Sequence, residues 1–84
     1  MPAARGRFER WTEWLGLNDA EIARRLKCDP SYPGKLRHDR RPGLEVARAI
    51  ELATAEPRDD GERWSEPPIR MEEWLDEPEK GAAA

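Results

Sequence analysis

Apolar residues recur at helical spacing along most of this chain, and the pattern predicts an all-α fold. The first amphipathic helix is expected over about residues 7–15, on the spacing of Phe8, Trp11, Trp14 and Leu15. Gly16 follows where a left-handed residue often ends a helix. Residues 1–6 show no pattern and are expected to fray. The two tryptophans are expected in the core, with a partner surface as the alternative, and Arg5 and Arg7 on a solvated face.

The stretch 18–36 predicts two short helices that cross at a tight turn. Asn18 is expected to cap the second helix of the chain, with Glu21 completing a capping box. Ala23 is small enough to let the two helices approach closely. Asp29 and Pro30 suit the cap and first residue of a third helix over residues 29–37.

Pro33 and Gly34 interrupt this third helix. If it begins at Asp29, Pro33 falls in the first turn, where its missing N–H removes a helical hydrogen bond. Glycine inside a helix costs about 1 kcal/mol relative to alanine. We therefore expect a distorted, 3₁₀-like first turn.

The remaining chain predicts a fourth helix over residues 43–54 and then a change in composition. Residues 55–66 are acidic, contain Pro57 and Gly61, and are expected to form a loop. Ile69, Met71, Trp74 and Leu75 form a small apolar set expected to dock on the core. Residues from about 76 onward are expected to be disordered. The predicted division is thus a domain over 1–54 and an acidic extension over 55–84, partly docked by 69–75.

Charge is divided unevenly between these two parts. Residues 1–54 hold 11 Lys and Arg against 8 Asp and Glu, whereas residues 55–84 hold 4 against 10. The excess of positive charge is greatest over residues 24–41, around the predicted helix pair. Because phosphate binding depends on the local field, this favours a nucleic-acid partner despite a net charge of −3. The extension could instead fold over the basic face and inhibit binding.

Other chemistry finds little support in the sequence. The single Cys28 is expected to be a small buried hydrophobic residue, and a reducing cytoplasmic setting follows from the absence of a second cysteine. His38 is the only histidine and lies in a charged loop. With no metal-ligand spacing and no glycine-rich phosphate loop, we expect a protein that is not an enzyme, with no cofactor and no metal. No apolar run is long enough for a membrane span.

The helix pattern resembles the phage-repressor/Cro-type (XRE-like, lambda-repressor-like) helix-turn-helix family over about residues 8–54. The residues that carry this resemblance are Glu21–Leu26, Ser31, Lys35, Leu36, Arg40–Pro42 and Ala47–Thr54. Ile50–Thr54 is similar to a final helix of such proteins, and Ile69–Trp74 to the segment that often follows it. Lys27 and Pro33 depart from the family pattern, which usually has glycine and a β-branched residue there. The resemblance therefore implies that a packing anchor between the second and third helices is lost at Pro33.

The resemblance implies a compact domain of four to five helices that lays helix 29–37 in the major groove of DNA. It implies base contacts from Ser31, Tyr32 and Lys35. Contacts to the DNA backbone are expected from Arg10, Asp19, Arg24, Arg37, Arg40 and Arg41. Arg40 and Arg41 could instead be solvated loop charges.

Two functions follow as hypotheses. The first is a sequence-specific transcriptional regulator, a phage-like repressor that binds double-stranded DNA as a homodimer because one small module makes few contacts. The alternative is a protein-interaction module, such as an antitoxin or anti-repressor, that binds a partner through the acidic extension.

Overall fold

Helices account for most of the chain in the computed structural model, which describes residues 4–38 and 40–76. The α-helices are α1 (Ala4–Leu15), α2 (Asp19–Leu26), α3 (Tyr32–His38) and α4 (Leu44–Ala55), and a 3₁₀ helix covers Met71–Asp76. The described residues contain no β-strand. The prediction of an all-α fold is therefore confirmed, and the expected disorder from about residue 76 falls largely on residues outside the described range.

Helix α1 begins earlier than predicted. Ala4 is fully buried, and the Arg5 guanidinium donates to the carbonyl oxygens of Leu36 (2.6 Å) and Arg40 (3.1 Å). The last carbonyls of a helix have no partner within it, and a cation there also interacts favourably with the helix dipole. For residues 4–6 the expectation of fraying is therefore wrong, as is that of a solvated Arg5, because this segment covers the end of α3.

Helix α2 begins and ends through local hydrogen bonds. The Asn18 side chain accepts from the Glu21 amide (2.9 Å), so the predicted cap is confirmed. At the other end, Lys27 is left-handed (φ 57°, ψ 47°), and the amides of Lys27 and Cys28 donate to the carbonyls of Arg24 and Ala23. This is a Schellman motif, in which glycine is the usual left-handed residue.

Helix α3 begins at Tyr32, three residues later than predicted. The Asp29 carboxylate does not cap it but accepts from the amide (2.8 Å) and hydroxyl (2.6 Å) of Ser31, which closes a turn. Pro33 consequently occupies the second residue of the helix, where an N–H would have no helical partner. The Tyr32 amide donates to the Asp29 carbonyl (2.9 Å), a 3₁₀-type bond, so the entry to this helix is irregular as expected. The expected loss of a packing anchor is wrong, since the Pro33 side chain is fully buried.

The core joins all these helices to residues after α4. Ile69 and Trp74 are buried, and the Phe8 ring lies 5.9 Å from the Trp74 ring and 5.8 Å from the Trp11 ring. The buried Thr54 hydroxyl donates to the Ile50 carbonyl (2.7 Å) and accepts from the Ile69 amide (2.9 Å). The segment after α4 thus completes the hydrophobic core.

Candidate nucleic-acid interface

Helix α3 has one buried face and one face in solvent. Pro33 and Leu36 point into the core, whereas Ser31, Lys35 and His38 are exposed. These three residues are four and three positions apart, so they lie along one side of the helix and the turn that precedes it. This outward side is the candidate interface.

Helices α2 and α3 are held together by an ion pair at the start of α2. An Arg37 guanidinium nitrogen lies 2.5 Å from an Asp19 carboxylate oxygen. A Cβ added at Gly34 would lie 3.6 Å from the other Asp19 oxygen, so the helices are close here. Asp19 and Arg37, both predicted to contact the DNA backbone, are therefore engaged with each other and fix the orientation of α3.

Of the three predicted base-contacting residues, only Lys35 has a side chain free of hydrogen bonds within the described residues. The Ser31 hydroxyl donates to Asp29, and the Tyr32 hydroxyl accepts from the Gly43 amide (3.2 Å) at the start of α4. Hydrogen bonds from Ser31, with a smaller contribution from the nearby Lys35 charge, lower the pKa of Asp29. Ser31 is exposed, whereas Tyr32 is half-buried and joins α3 to α4.

Several exposed cations on α2, on α3 and in the adjoining loops have no acidic partner. Within residues 4–38 and 40–76, the side chains of Arg24, Lys27, Lys35 and Arg40 form no ion pair or hydrogen bond. Arg41 differs, because it is half-buried and donates to the Leu75 carbonyl (3.4 Å). The α2–α3 region therefore presents uncompensated positive charge.

Positive charge is paired where α1 meets residues 55–76, the described part of the acidic extension, which we call the acidic segment. Arg10 makes a two-pronged contact with Glu66, with N–O distances of 2.7 and 3.0 Å. That contact raises the pKa of Arg10, and the hydrogen bond from Arg10 is the largest cause of the lowered pKa of Glu66. Arg10, predicted to contact DNA, therefore faces the acidic segment.

Arg7 is the centre of this contact and is not solvated as expected. Its side chain is only 10% exposed, pairs with Glu66 (3.2 Å) and Glu73 (2.5 Å), donates to the Pro67 carbonyl, and lies over the Trp64 ring. No local pattern marks Arg7 in the sequence, because its partners lie about 60 residues further along the chain.

The acidic segment does not cover α3 within the described residues. Its carboxylates pair with arginines of α1 and α2 or with its own; Asp59, for example, lies 2.7 Å from Arg25. The Arg58 guanidinium donates to the Trp14 carbonyl (2.7 Å) and lies 4.7 Å from the Trp14 ring centroid. Among the described residues these contacts reach Arg25 of the basic stretch 24–41 and leave Lys35 and Arg40 without an acidic partner.

The described residues offer no grouping suited to a metal ion. Cys28 is half-buried rather than buried as predicted, and burial together with the charge of Asp29 raises the pKa of its thiol. A raised pKa leaves less thiolate at neutral pH, so Cys28 is poorly suited to act as a nucleophile. None of the helices in the described ranges has the length and apolar content that a bilayer crossing needs.

Comparison of the chain with protein-family models, with curated proteins and with solved structures gives no match. The fold is an all-helical domain in which α2 and α3 are joined by a short turn. In this domain α3 keeps one polar face in solvent, which includes Lys35, and Arg40 follows the helix.

Proposed function

We propose that this chain is a sequence-specific DNA-binding transcriptional regulator of the phage-repressor/Cro-type helix-turn-helix class, which lays α3 in the major groove. The observation that carries the proposal is the division of charge. Carboxylates of the acidic segment pair with Arg7, Arg10 and Arg25, whereas Lys35 on α3 and Arg40 just after it form no ion pair within the described residues. Unpaired cations around an exposed helix suit a partner with regularly spaced negative charges, and duplex DNA has one about every 1.7 Å of its axis.

The side chains divide into two roles in this proposal. Lys35 reads base edges, because a lysine in the major groove can donate to the O6 and N7 acceptors of guanine. Ser31 is a second reader once its hydroxyl leaves Asp29. Arg24 and Arg40 contact phosphates, which position the helix without reading sequence. Asp19 and Arg37 orient α3 rather than touch the duplex through their side chains.

This distribution predicts modest specificity and a strong dependence on salt. With chiefly Lys35 to read bases, most of the affinity comes from phosphate contacts. Each such contact contributes a slope of about −0.9 in a plot of log K against log salt concentration. We therefore expect binding that weakens steeply with salt and a short recognised sequence.

The test is selection of bound duplexes from a random library with the full chain, followed by fluorescence anisotropy at several salt concentrations. Lys35→Ala should relax the preference at one base position, at a cost of about 1–3 kcal/mol, and Arg40→Ala should weaken all duplexes alike and make the salt slope shallower by about 1. Arg63→Ala is the matched control, because Arg63 is an exposed cation of the acidic segment. Absence of duplex binding, or binding independent of salt, would refute the proposal.

The alternative is a protein-interaction module such as an antitoxin or anti-repressor. The observation that favours it is the exposure of Leu44 and Leu75, which are 74% and 73% accessible. Such side chains are often covered by a partner. A stable complex with another protein, together with no retardation of any duplex, would support this function over DNA binding.

A further inference from the structure

A groove lies between the end of α2 and the last turns of α4. We call it the Lys27–Leu52 groove; its lining residues are Arg25, Lys27, Ala49, Leu52, Ala53 and Glu56. Its volume is about 330 Å³, and its largest apolar side chain, Leu52, is 57% exposed. It shares no lining residue with the groove that contains Leu44 and Leu75, so it is a separate surface.

Lys27 has a backbone conformation that suits glycine better than lysine. It is left-handed, with φ 57° and ψ 47°, and closes the Schellman motif at the end of α2. The hydrogen bonds of this motif come from the main chain, so glycine would make them without strain. The Lys27 side chain forms no ion pair or hydrogen bond within the described residues. Because strained residues cluster at functional sites, the Lys27 side chain is a candidate for contact with another molecule.

Unpaired charges around the groove are mostly positive. Arg48 lies one helical turn before Leu52 on the same face of α4, and Glu56 lies one turn after it. The side chains of Lys27, Arg48 and Glu56 form no ion pair or hydrogen bond in the part of the chain that the structure describes. Arg25 already pairs with a carboxylate of the acidic segment. Two unpaired cations and one unpaired acid therefore border an exposed leucine.

This combination fits a protein segment that carries both an aliphatic side chain and carboxylates. The aliphatic side chain would remove Leu52 from water, and the carboxylates would complement the unpaired cations. The phosphates of a nucleic acid would satisfy the cations but leave Leu52 in solvent. A wholly apolar segment would cover Leu52 but bury charge without a partner, which is costly.

We infer that the Lys27–Leu52 groove is a docking site for an acidic, leucine-containing segment of a partner protein. The aliphatic side chain of that segment packs on Leu52, and a carboxylate pairs with Lys27. The inference does not rest on the proposed function, because none of the groove residues is among the proposed contacts to bases or phosphates.

Selection from a phage-displayed library of random short peptides tests the inference, with the full chain as bait and no DNA present. The enriched peptides should combine leucine or isoleucine with aspartate or glutamate. The most enriched peptide is then labelled, and its binding is measured by fluorescence anisotropy over about 1 µM to 1 mM, because so small a contact is weak. Leu52→Glu should raise the dissociation constant about tenfold, since it places a charge at the apolar centre.

Lys27→Gly should raise the dissociation constant about fivefold, as expected for an exposed ion pair. This variant separates a lost contact from a lost fold, because glycine suits the backbone here and the variant should unfold at a higher temperature than the natural chain. Lys27→Arg keeps the charge and should bind the peptide like the natural chain. Leu44→Glu is the matched control for Leu52→Glu, because it places the same charge on an exposed leucine of α4 outside the groove.

Several outcomes would overturn the inference: no enriched peptide, enrichment of basic peptides, or binding that survives Leu52→Glu or is lost in Leu44→Glu. A Lys27→Gly chain that binds the peptide normally would overturn it as well; if that chain binds duplex DNA more weakly, Lys27 is a phosphate contact instead. Because the peptide assay contains no DNA, a failure of duplex binding overturns only the proposed function.

Discussion

Replacing Lys27 by glycine should stabilise this protein. Lys27 has φ 57° and ψ 47°, the centre of the left-handed region, and it is the single non-glycine residue with positive φ among those described. In that conformation the Cβ of an L-residue lies too close to the following carbonyl oxygen, at a cost of about 1–2 kcal/mol. Glycine has no Cβ and removes this cost, while the Schellman hydrogen bonds from the backbone stay in place.

The gain is smaller than the strain, because glycine also gives the unfolded chain more freedom. That freedom costs about 0.5–1 kcal/mol. The difference leaves a net stabilisation of about 0.5–1 kcal/mol for Lys27→Gly. In a domain of this size, about 1 kcal/mol corresponds to a rise of about 4–8 °C in Tm.

Thermal and urea unfolding followed by circular dichroism measures the effect. Two variants separate backbone strain from the loss of charge. Lys27→Ala removes the charge but keeps a Cβ, so the free energy of unfolding should change by less than about 0.5 kcal/mol. Arg24→Gly places glycine inside α2 and should lower the free energy of unfolding by about 1 kcal/mol. The reasoning is refuted if Lys27→Gly is destabilising, or if Lys27→Ala stabilises as much as Lys27→Gly.

The remaining predictions concern contacts between the acidic segment and the core. Arg7→Met should lower the free energy of unfolding by about 1–3 kcal/mol, because Glu73 loses its cation and the Pro67 carbonyl loses its donor, while Glu66 keeps Arg10. Arg10→Met, at a side chain 55% exposed, should cost at most about 1 kcal/mol in the same urea titration. The lowered pKa of Glu66 means that its pairing stabilises the fold above the unfolded pKa of about 4.3 and that this contribution is lost as pH falls through the folded pKa. Glu66→Gln should therefore flatten the pH dependence of Tm below about pH 5, and an unchanged slope would contradict it. Thr54→Val should cost about 1–3 kcal/mol, because the buried Ile69 amide loses its acceptor; hydrogen exchange at that amide should accelerate.

Sequence patterns were most informative where the interaction is local. The Asn18 cap involves residues three positions apart, and Gly16 ends α1 with φ 70°, as its place in the sequence predicted. The start of α3 was wrongly predicted, because Asp29 suits either a helix cap or a turn. The turn prevails, and it places Pro33 at a helix position that needs no amide hydrogen.

The pairing of charged residues at the candidate interface was harder to predict from the sequence. The basic stretch 24–41 was visible in the sequence, and Lys35 and Arg40 are exposed in it without acidic partners among the described residues. The sequence did not predict that Arg37 pairs with Asp19 or that Arg10 pairs with Glu66, because each partner lies on another element. Charge counts alone cannot tell a free cation from a paired one.

The sequence by itself determined the all-helical character, the polar faces of the helices and the acidic composition after α4. These properties depend on residues within one or two helical turns. Tertiary structure decided that Arg5 covers the end of α3, that Arg7 binds the acidic segment, and which cations remain unpaired beside α3. Those outcomes depend on contacts between residues about 30 to 66 positions apart, where burial and geometry select among many possible partners.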